Sequence, residues 1–238
     1  MKFLDQYYSK IDNEQLSISA EQGSSFAKQV AGDFNPIHHV GAKRFCVPGD
    51  LLFAIALQRY GLNQKMAFQF TNLVAADAQL NYPTVTGSES EVALEVSCDR
   101  EKTVLAMQYS GESCQDELKV EPILRSYVQF SGQNFPHIFV PLMKESKVMI
   151  NPKRPLVMYQ SMSFELQSMD FQTLDIELTS STLESEGKRG NVTLDFAFMA
   201  DGRQVGSGSK NLVLSGLREY EQSGIDDMCD RYEASKYD

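Results

Sequence analysis

Apolar positions along this chain follow two different rhythms. From Leu51 to Leu57 every side chain is apolar, Leu-Leu-Phe-Ala-Ile-Ala-Leu, with no polar stripe. A helix that is apolar all round must be wrapped by protein on every side, so residues 51–60 predict a central buried helix, stopped by Gly61. The stretch before it, 32–48, is dense in polar and turn-forming residues. Upstream, Ser19-x-x-Gln22 reads as a capping box with Glu21 near the positive helix end. It opens a helix carrying Phe26 and Val30 on one face and ending at Gly32. Asn35-Pro36 is a turn pair, because the residue before proline is pushed out of the α region.

Past Gly61 the rhythm becomes that of strands. A short edge strand near 16–18 is joined by an extended run over 68–82, an alternating strand at Val92, Leu94 and Val96, and a third over 104–109. A fourth is expected over 123–130, where Tyr127 and Phe130 favour β structure. Turns are expected at 86–88, 99–101 and 110–112. After Gly132 the order restarts. A helix is expected over 135–149, with Pro136 at its start and Pro141 kinking it. Strands follow at 157–168, 174–183, 191–199 and 204–214, with turns at 186–188 and the hairpin signal Asp201-Gly202. The last twenty residues are acidic and polar, suited to a surface helix or a frayed end.

Helix then four strands, twice over, is a weak internal repeat. A shift of 84 positions sets Glu91-Val92-x-Leu94 on Asp175-Ile176-x-Leu178 and the helix start at Gly49 near Gln133. Residue identity is low, so the repeat rests on element order. It predicts an N-terminal unit over 1–131, a C-terminal unit over 132–218 and an acidic tail over 219–238. With 123–130 taken as the first unit's last strand, the second unit has no room for its own 32–48 loop. Any chemistry therefore falls to the first.

Composition narrows the function. The chain has 238 residues, 42% apolar and 23% charged, enough for one large or two small domains. A net charge of −10 argues against nucleic-acid partners, which need a basic face, and against an electrostatically held membrane surface. The longest apolar run, 51–57, is too short to span a bilayer. The first residues, Met1-Lys2-Phe3-Leu4-Asp5-Gln6, carry no apolar core of a signal peptide. The four cysteines, at 46, 98, 114 and 229, form no C-x-x-C pair and are expected as reduced thiols of a cytoplasmic protein. Three histidines without ligand spacing predict no metal, and the absence of G-x-G-x-x-G or G-K-[ST] predicts no nucleotide cofactor.

Candidate chemistry gathers at Asp33, Asn35 and His38. Two readings stand side by side. An acid and an amide before proline build an Asx turn, and a lone loop histidine is commonly structural. An acid, an amide and an imidazole beside a buried helix N-terminus also suit an enzyme that places a water and polarises a carbonyl. His39 and His137 read as structural, and Cys46 as a small packing residue. Lys43 and Arg44 form either a solvated face or a contact for phosphate. Asp77 either lines a pocket or marks a strand edge.

Gly32-Asp33-Phe34-Asn35-Pro36-Ile37-His38 resembles the overhang motif G-D-x-N-P-x-H of the MaoC-like (R)-specific enoyl-CoA hydratases. The flanks are similar too: a helix before it, then Phe45, Pro48-Gly49 and the apolar helix. Leu80-Asn81-Tyr82-Pro83-x-x-x-Gly87 and Ser161-Met162-Ser163-Phe164-Glu165-Leu166 resemble the family's strand after the central helix. The resemblance implies an α+β fold, a double hotdog with two long central helices wrapped by antiparallel sheet. It implies a pseudo-dimer within one chain, with a homodimer of such chains as a further assembly. The implied reaction is syn hydration of a trans-2-enoyl thioester, or its reverse, on acyl-CoA or acyl-carrier substrates without a cofactor. Asp33 and His38 would hold one water, Asn35 would fix the loop or the water, and the Gly49 N–H would polarise the thioester oxygen. Leu51, Phe53 and nearby strands would take the acyl chain.

The sequence departs from that pattern. Only eleven positions separate His38 from Gly49, Val40 replaces an expected acid, and Asp50 stands where an apolar residue is expected. Asp50 either supports the helix end or opposes a developing negative oxygen. Two alternatives therefore remain: a hotdog that binds an acyl thioester without turnover, and a thioesterase using Asp33 or Asp50 as base.

Overall fold

The computed structural model describes residues 2–85, 91–99 and 102–237. The expected turn at 86–88 and residues 100–101 of the next lie outside the described residues. The capping box at Ser19 forms. The Ser19 hydroxyl accepts the Gln22 N–H at 3.2 Å and the Gln22 side chain accepts the Ser19 N–H at 3.0 Å. This opens α1 (Ala20–Phe26), which widens into a π turn at Ala27–Ala31 and ends at Gly32, φ 65°. The left-handed conformation that ends the helix is one glycine adopts without a Cβ clash. The Asp33 N–H then reaches back to the Ala27 carbonyl at 2.8 Å, so the helix end itself presents Asp33.

The apolar run forms α2 (Gly49–Tyr60), capped by Gly61 at φ 77°, and Leu51 to Leu57 are all buried. Around it lies antiparallel sheet. The strands are β1 (Ser9–Lys10), β2 (Gln15–Ser17), β3 (Leu62–Phe70), β4 (Gln79–Asn81), β5 (Glu91–Cys98), β6 (Lys102–Cys114), β7 (Val148–Met149), β8 (Leu156–Leu166), β9 (Asp175–Glu186), β10 (Arg189–Ala200), β11 (Arg203–Ser215) and β12 (Arg218–Glu219). Among the described residues ten of them form one sheet, ordered β1-β2-β4-β5-β6-β3-β8-β11-β10-β9, while β12 pairs with β7. Strands of the two halves of the chain meet where Met66 pairs with Phe164 and Phe68 with Met162. The α+β class expected from the sequence is the class observed.

Several expected elements differ. Residues 123–130 are not a strand but part of α3 (Glu117–Gly132). Asp116 caps it by accepting the Leu118 N–H at 3.0 Å. Its buried residues, Val120, Ile123, Leu124, Tyr127 and Val128, recur at helical spacing, and that period overrides the β preference of single aromatics. The space before the second half is therefore filled by a helix.

The single helix expected over 135–149 is two short ones, α4 (Asn134–His137) and α5 (Phe139–Glu145). Phe135 is extended (φ −103°, ψ 135°), as a residue before proline prefers. Pro141 sits in the first turn of α5, where a missing N–H costs nothing.

The extended run over 68–82 is split. β3 starts directly after Gly61 and ends at Phe70, and β4 covers only 79–81. Gly111 (φ 83°) makes no turn but lies inside β6, where the pairing with β3 shifts register, as at a bulge. The C-terminal segment folds into α6 (Gln222–Ala234), burying Ile225, Met228 and Tyr232.

Candidate functional site

The 32–48 loop is built by its own polar groups. Asp33 Oδ1 accepts the Asn35 N–H at 2.8 Å, and Asn35 Oδ1 accepts the Ile37 N–H at 3.2 Å, capping the short 3-10 turn Pro36–His38. Both are Asx turns. The loop closes on Cys46, whose N–H donates to the Ile37 carbonyl at 3.0 Å. The Cys46 carbonyl lies 2.7 Å from His38 Nδ1. A carbonyl only accepts, so Nδ1 carries the hydrogen and Nε2 is the open nitrogen of the neutral ring. That Nε2 stands 3.5 Å from Asp33 Oδ2, and both side chains are largely buried.

These groups border a cavity of about 400 Å³. Asp33, Asn35, His38 and Gly49 all line it, together with apolar Leu52, Phe70, Val74, Phe139 and Ile150. Lys153 and Arg231 are exposed lining residues and Leu73 is 63% exposed, so the cavity opens to solvent there. Gly49 begins α2, and a Cβ at that position would lie 3.1 Å from the Tyr159 ring and 3.4 Å from Phe70. In the first turn of a helix the N–H groups have no intrahelical acceptor and carry partial positive charge.

Other expected residues lie elsewhere. Leu51 and Phe53 are fully buried and do not line the cavity. Phe53 packs on Phe68 and Tyr127 at ring separations of 5.0 and 4.9 Å. Leu52, one position round the helix, is the one that faces the space. Lys43 and Arg44 lie on the outer arm of the loop, away from the lining. Asp77 takes φ 62° and donates its N–H to the Ile18 carbonyl at 2.8 Å, a backbone role. His39 and His137 are exposed. Cys46 is buried, and burial pushes its thiol up to about 11.

Sequence reasoning weighed Asp50 but missed its partners in the cavity wall, Ser131 and Lys210. Asp50 points inward, with both carboxylate oxygens 2.7 Å from the Ser131 hydroxyl of α3. Lys210 of β11 donates to Ser131 Oγ, to the Ser131 carbonyl at 3.3 Å and to Asn134 Oδ1 at 3.0 Å. Its ammonium also sits 4.5 Å above the Tyr159 ring, and the Tyr159 and Tyr127 hydroxyls bond each other. Burial raises the Asp50 carboxyl, against the pull of Lys210 and the Ser131 bond, and neighbouring Asp33 raises it further. Burial lowers the Lys210 ammonium, against Asp50 and Asp33. Burial likewise holds both phenols well up. The signal in the sequence was faint: Lys210 is one of several polar residues in β11, and only its burial sets it apart.

α3 reaches this place by a backbone approach. A Cβ on Gly132 would fall 2.3 Å from the Ala31 carbonyl oxygen, so only glycine lets α3 lie against the end of the helix that presents Asp33. From the far side, Tyr232 of α6 packs edge-on to Phe34 and Phe135 at 5.8 and 5.2 Å. Among the described residues no cluster of His, Cys, Asp or Glu suits a metal ion, and no helix is long and apolar enough to cross a membrane.

The chain belongs to the family described as protein of unknown function DUF3581, whose model matches residues 2–223. No curated protein matches its sequence. Among solved structures it resembles a conserved hot-dog-fold protein of unknown function from Alicyclobacillus acidocaldarius. That pair is 10% identical with TM-score 0.51, over 90% of this chain and 98% of that one. It also aligns with an acyl-CoA thioesterase II, TesB2, from Mycobacterium marinum (10% identity, TM-score 0.49, 92% and 98% covered). A third alignment is with a MaoC-like dehydratase (10% identity, TM-score 0.40, 87% and 97% covered). The first of these likenesses establishes the hotdog fold and nothing finer.

Proposed function

We propose that this protein adds water to a 2-enoyl thioester, or removes it from the hydroxyacyl product. The observation that carries the reading is the pair His38 and Asp33. With Nδ1 committed to the Cys46 carbonyl, Nε2 and Asp33 Oδ2 are two acceptors facing each other at 3.5 Å. A molecule with two hydrogens, such as water, can donate to both acceptors at once, and this is the role the proposal gives them. In the hydration direction the water oxygen bonds to C3 and one water proton passes to the imidazole. The C2–C3 π electrons move to the thioester oxygen, where the N-terminal N–H of Gly49 stabilises the charge. C2 then takes a proton from the same acid–base pair, which restores the site.

The remaining geometry supports a long apolar substrate with a charged handle. Leu52, Phe70 and Ile150 would take the acyl chain in place of Leu51 and Phe53. Lys153 and Arg231 at the opening, rather than Lys43 and Arg44, are the cations that a CoA or carrier-linked phosphate would meet. We read the chain as a double hotdog acting as its own pseudo-dimer. Its first unit runs through β6 and its second begins with α3, since 117–132 is a helix packed before the second set of strands. Cytoplasmic residence remains part of this proposal.

The test is loss of enoyl absorbance with crotonyl-CoA and longer trans-2-enoyl-CoA esters. No turnover at any chain length by folded protein overturns the reading. Thiol release instead would make it a thioesterase, and a ligand-induced rise in Tm without chemistry would make it a binding module.

A further inference from the structure

The water-adding reaction leaves one buried polar cluster without a task. Asp50, Ser131 and Lys210 are 7%, 6% and 2% exposed, come from α2, α3 and β11, and all line the cavity. A buried ion pair is weak evidence for stability, because an apolar replacement of both partners is often as stable. Its position is more informative. Asp50 is the residue after Gly49, so an unopposed carboxylate would sit beside the helix end that receives negative charge during the reaction. Asp33 already places one carboxylate in the same cavity.

The hydrogen bonds say what Lys210 does and does not do. The Ser131 hydroxyl has one hydrogen, given to the Asp50 carboxylate, and its oxygen accepts from Lys210. The Lys210 ammonium has three hydrogens, and the Ser131 hydroxyl, the Ser131 carbonyl and Asn134 Oδ1 supply three acceptors. A lysine engaged in this way is not a free amine base or nucleophile. It is a fixed positive charge, aimed through Ser131 at Asp50.

Resting on the hydratase reading, we propose that Lys210, acting through Ser131, is a positioning residue for the oxyanion end of α2. It holds the Asp50 carboxylate turned onto Ser131 and offsets its charge. The first N–H groups of α2 thus stay available and electropositive for the oxygen of a bound thioester. The doubt the sequence raises about Asp50 is resolved by a counter-charge 160 positions away.

The experiment uses the full chain with Lys210→Met, Asp50→Asn and the double variant. Two quantities are read. One is the carbonyl stretch of a bound, isotope-labelled saturated acyl-CoA, which reports polarisation without needing turnover. The other is kcat and KM for enoyl-CoA hydration. The wild type should lower the bound carbonyl frequency. Lys210→Met should return it toward the free value and reduce kcat about 10²-fold, the cost typical of losing one oxyanion donor, with KM less affected. The double variant should restore both, which a purely structural role for Lys210 does not predict.

A wild-type spectrum and kcat in Lys210→Met, or a double variant as impaired as the single, overturns the proposal. If Lys210→Met does not fold, Asp50→Asn and the double variant decide. Both must keep the lowered carbonyl frequency, and a return to the free value in either overturns it. If enoyl-CoA is never hydrated but the frequency pattern holds, the positioning role stands and the hydratase reading falls. A wild type that leaves the bound carbonyl unshifted, or binds no acyl-CoA, overturns the positioning role.

Discussion

Nε2 of His38 and Oδ2 of Asp33 face each other at 3.5 Å, and the other polar atom of each group is already engaged. Asp33 Oδ1 holds the Asn35 N–H, and His38 Nδ1 donates to the Cys46 carbonyl. One half of each side chain therefore builds the loop, and the proposed chemistry falls to the other half. Asp33→Asn separates the two roles, because an amide oxygen can still accept the Asn35 N–H. Hydration of crotonyl-CoA should fall roughly 10²–10⁴-fold, the usual range for losing a general acid–base partner, while the urea midpoint stays put. A shifted midpoint with unchanged turnover would assign Asp33 to the turn alone.

Asn35 holds the loop through its amide oxygen. Its Oδ1 caps the 3-10 turn that carries His38. Asn35→Ala should cost about 1 kcal/mol, as lost caps do, read from chemical denaturation. Asn35→Asp, which keeps the acceptor, should recover most of it.

Gly132→Ala tests the close approach of α3 to the helix end at Ala31. The new methyl would meet a carbonyl oxygen at 2.3 Å, and backbone cannot yield as a side-chain tip does. A destabilisation of roughly 1–3 kcal/mol is expected from overpacking, seen as a lower Tm. Activity in the folded fraction should fall too, because Ser131 and the Asp33 loop are both displaced.

Cys46 supplies a pH prediction with a defined sign. Its thiol ionises at about 11 in the fold against an ordinary 9.0. The stability linked to the protonated thiol is thus fully present below pH 9 and is lost as pH rises through about 11. At pH 8 its thiolate fraction should be about a hundred-fold below that of an ordinary cysteine. Alkylation with iodoacetamide, followed by mass spectrometry, should label Cys98, Cys114 and Cys229 first, and Cys46 only on unfolding.

Local signals carried much of this structure. The capping box at Ser19, the stop at Gly32, the all-apolar α2 and the later strands follow from side-chain period and cap chemistry, which act over a few residues. The loop from Asp33 to His38 was legible for the same reason. What could not be read locally was long-range. α3 looked like a strand because Tyr127 and Phe130 were weighed singly, while its period and the Asp116 cap point to a helix. Leu52 rather than Leu51 or Phe53 faces the cavity, because the orientation of an all-apolar helix is set by its neighbours and not by its own pattern. Lys210 and Ser131 lie 160 and 81 positions from Asp50, and no spacing rule links such partners.

The seam between β3 and β8 has a practical consequence. Asp33, His38 and Asp50 precede β3 in the chain, and Ser131, Tyr159 and Lys210 follow it, yet one polypeptide carries all six. Their encounter is intramolecular, governed by tether length and not by how much protein is in the tube. Specific activity should therefore hold constant through serial dilution, and mixing two inactive variants, one altered on each side of the seam, should not regenerate a working site.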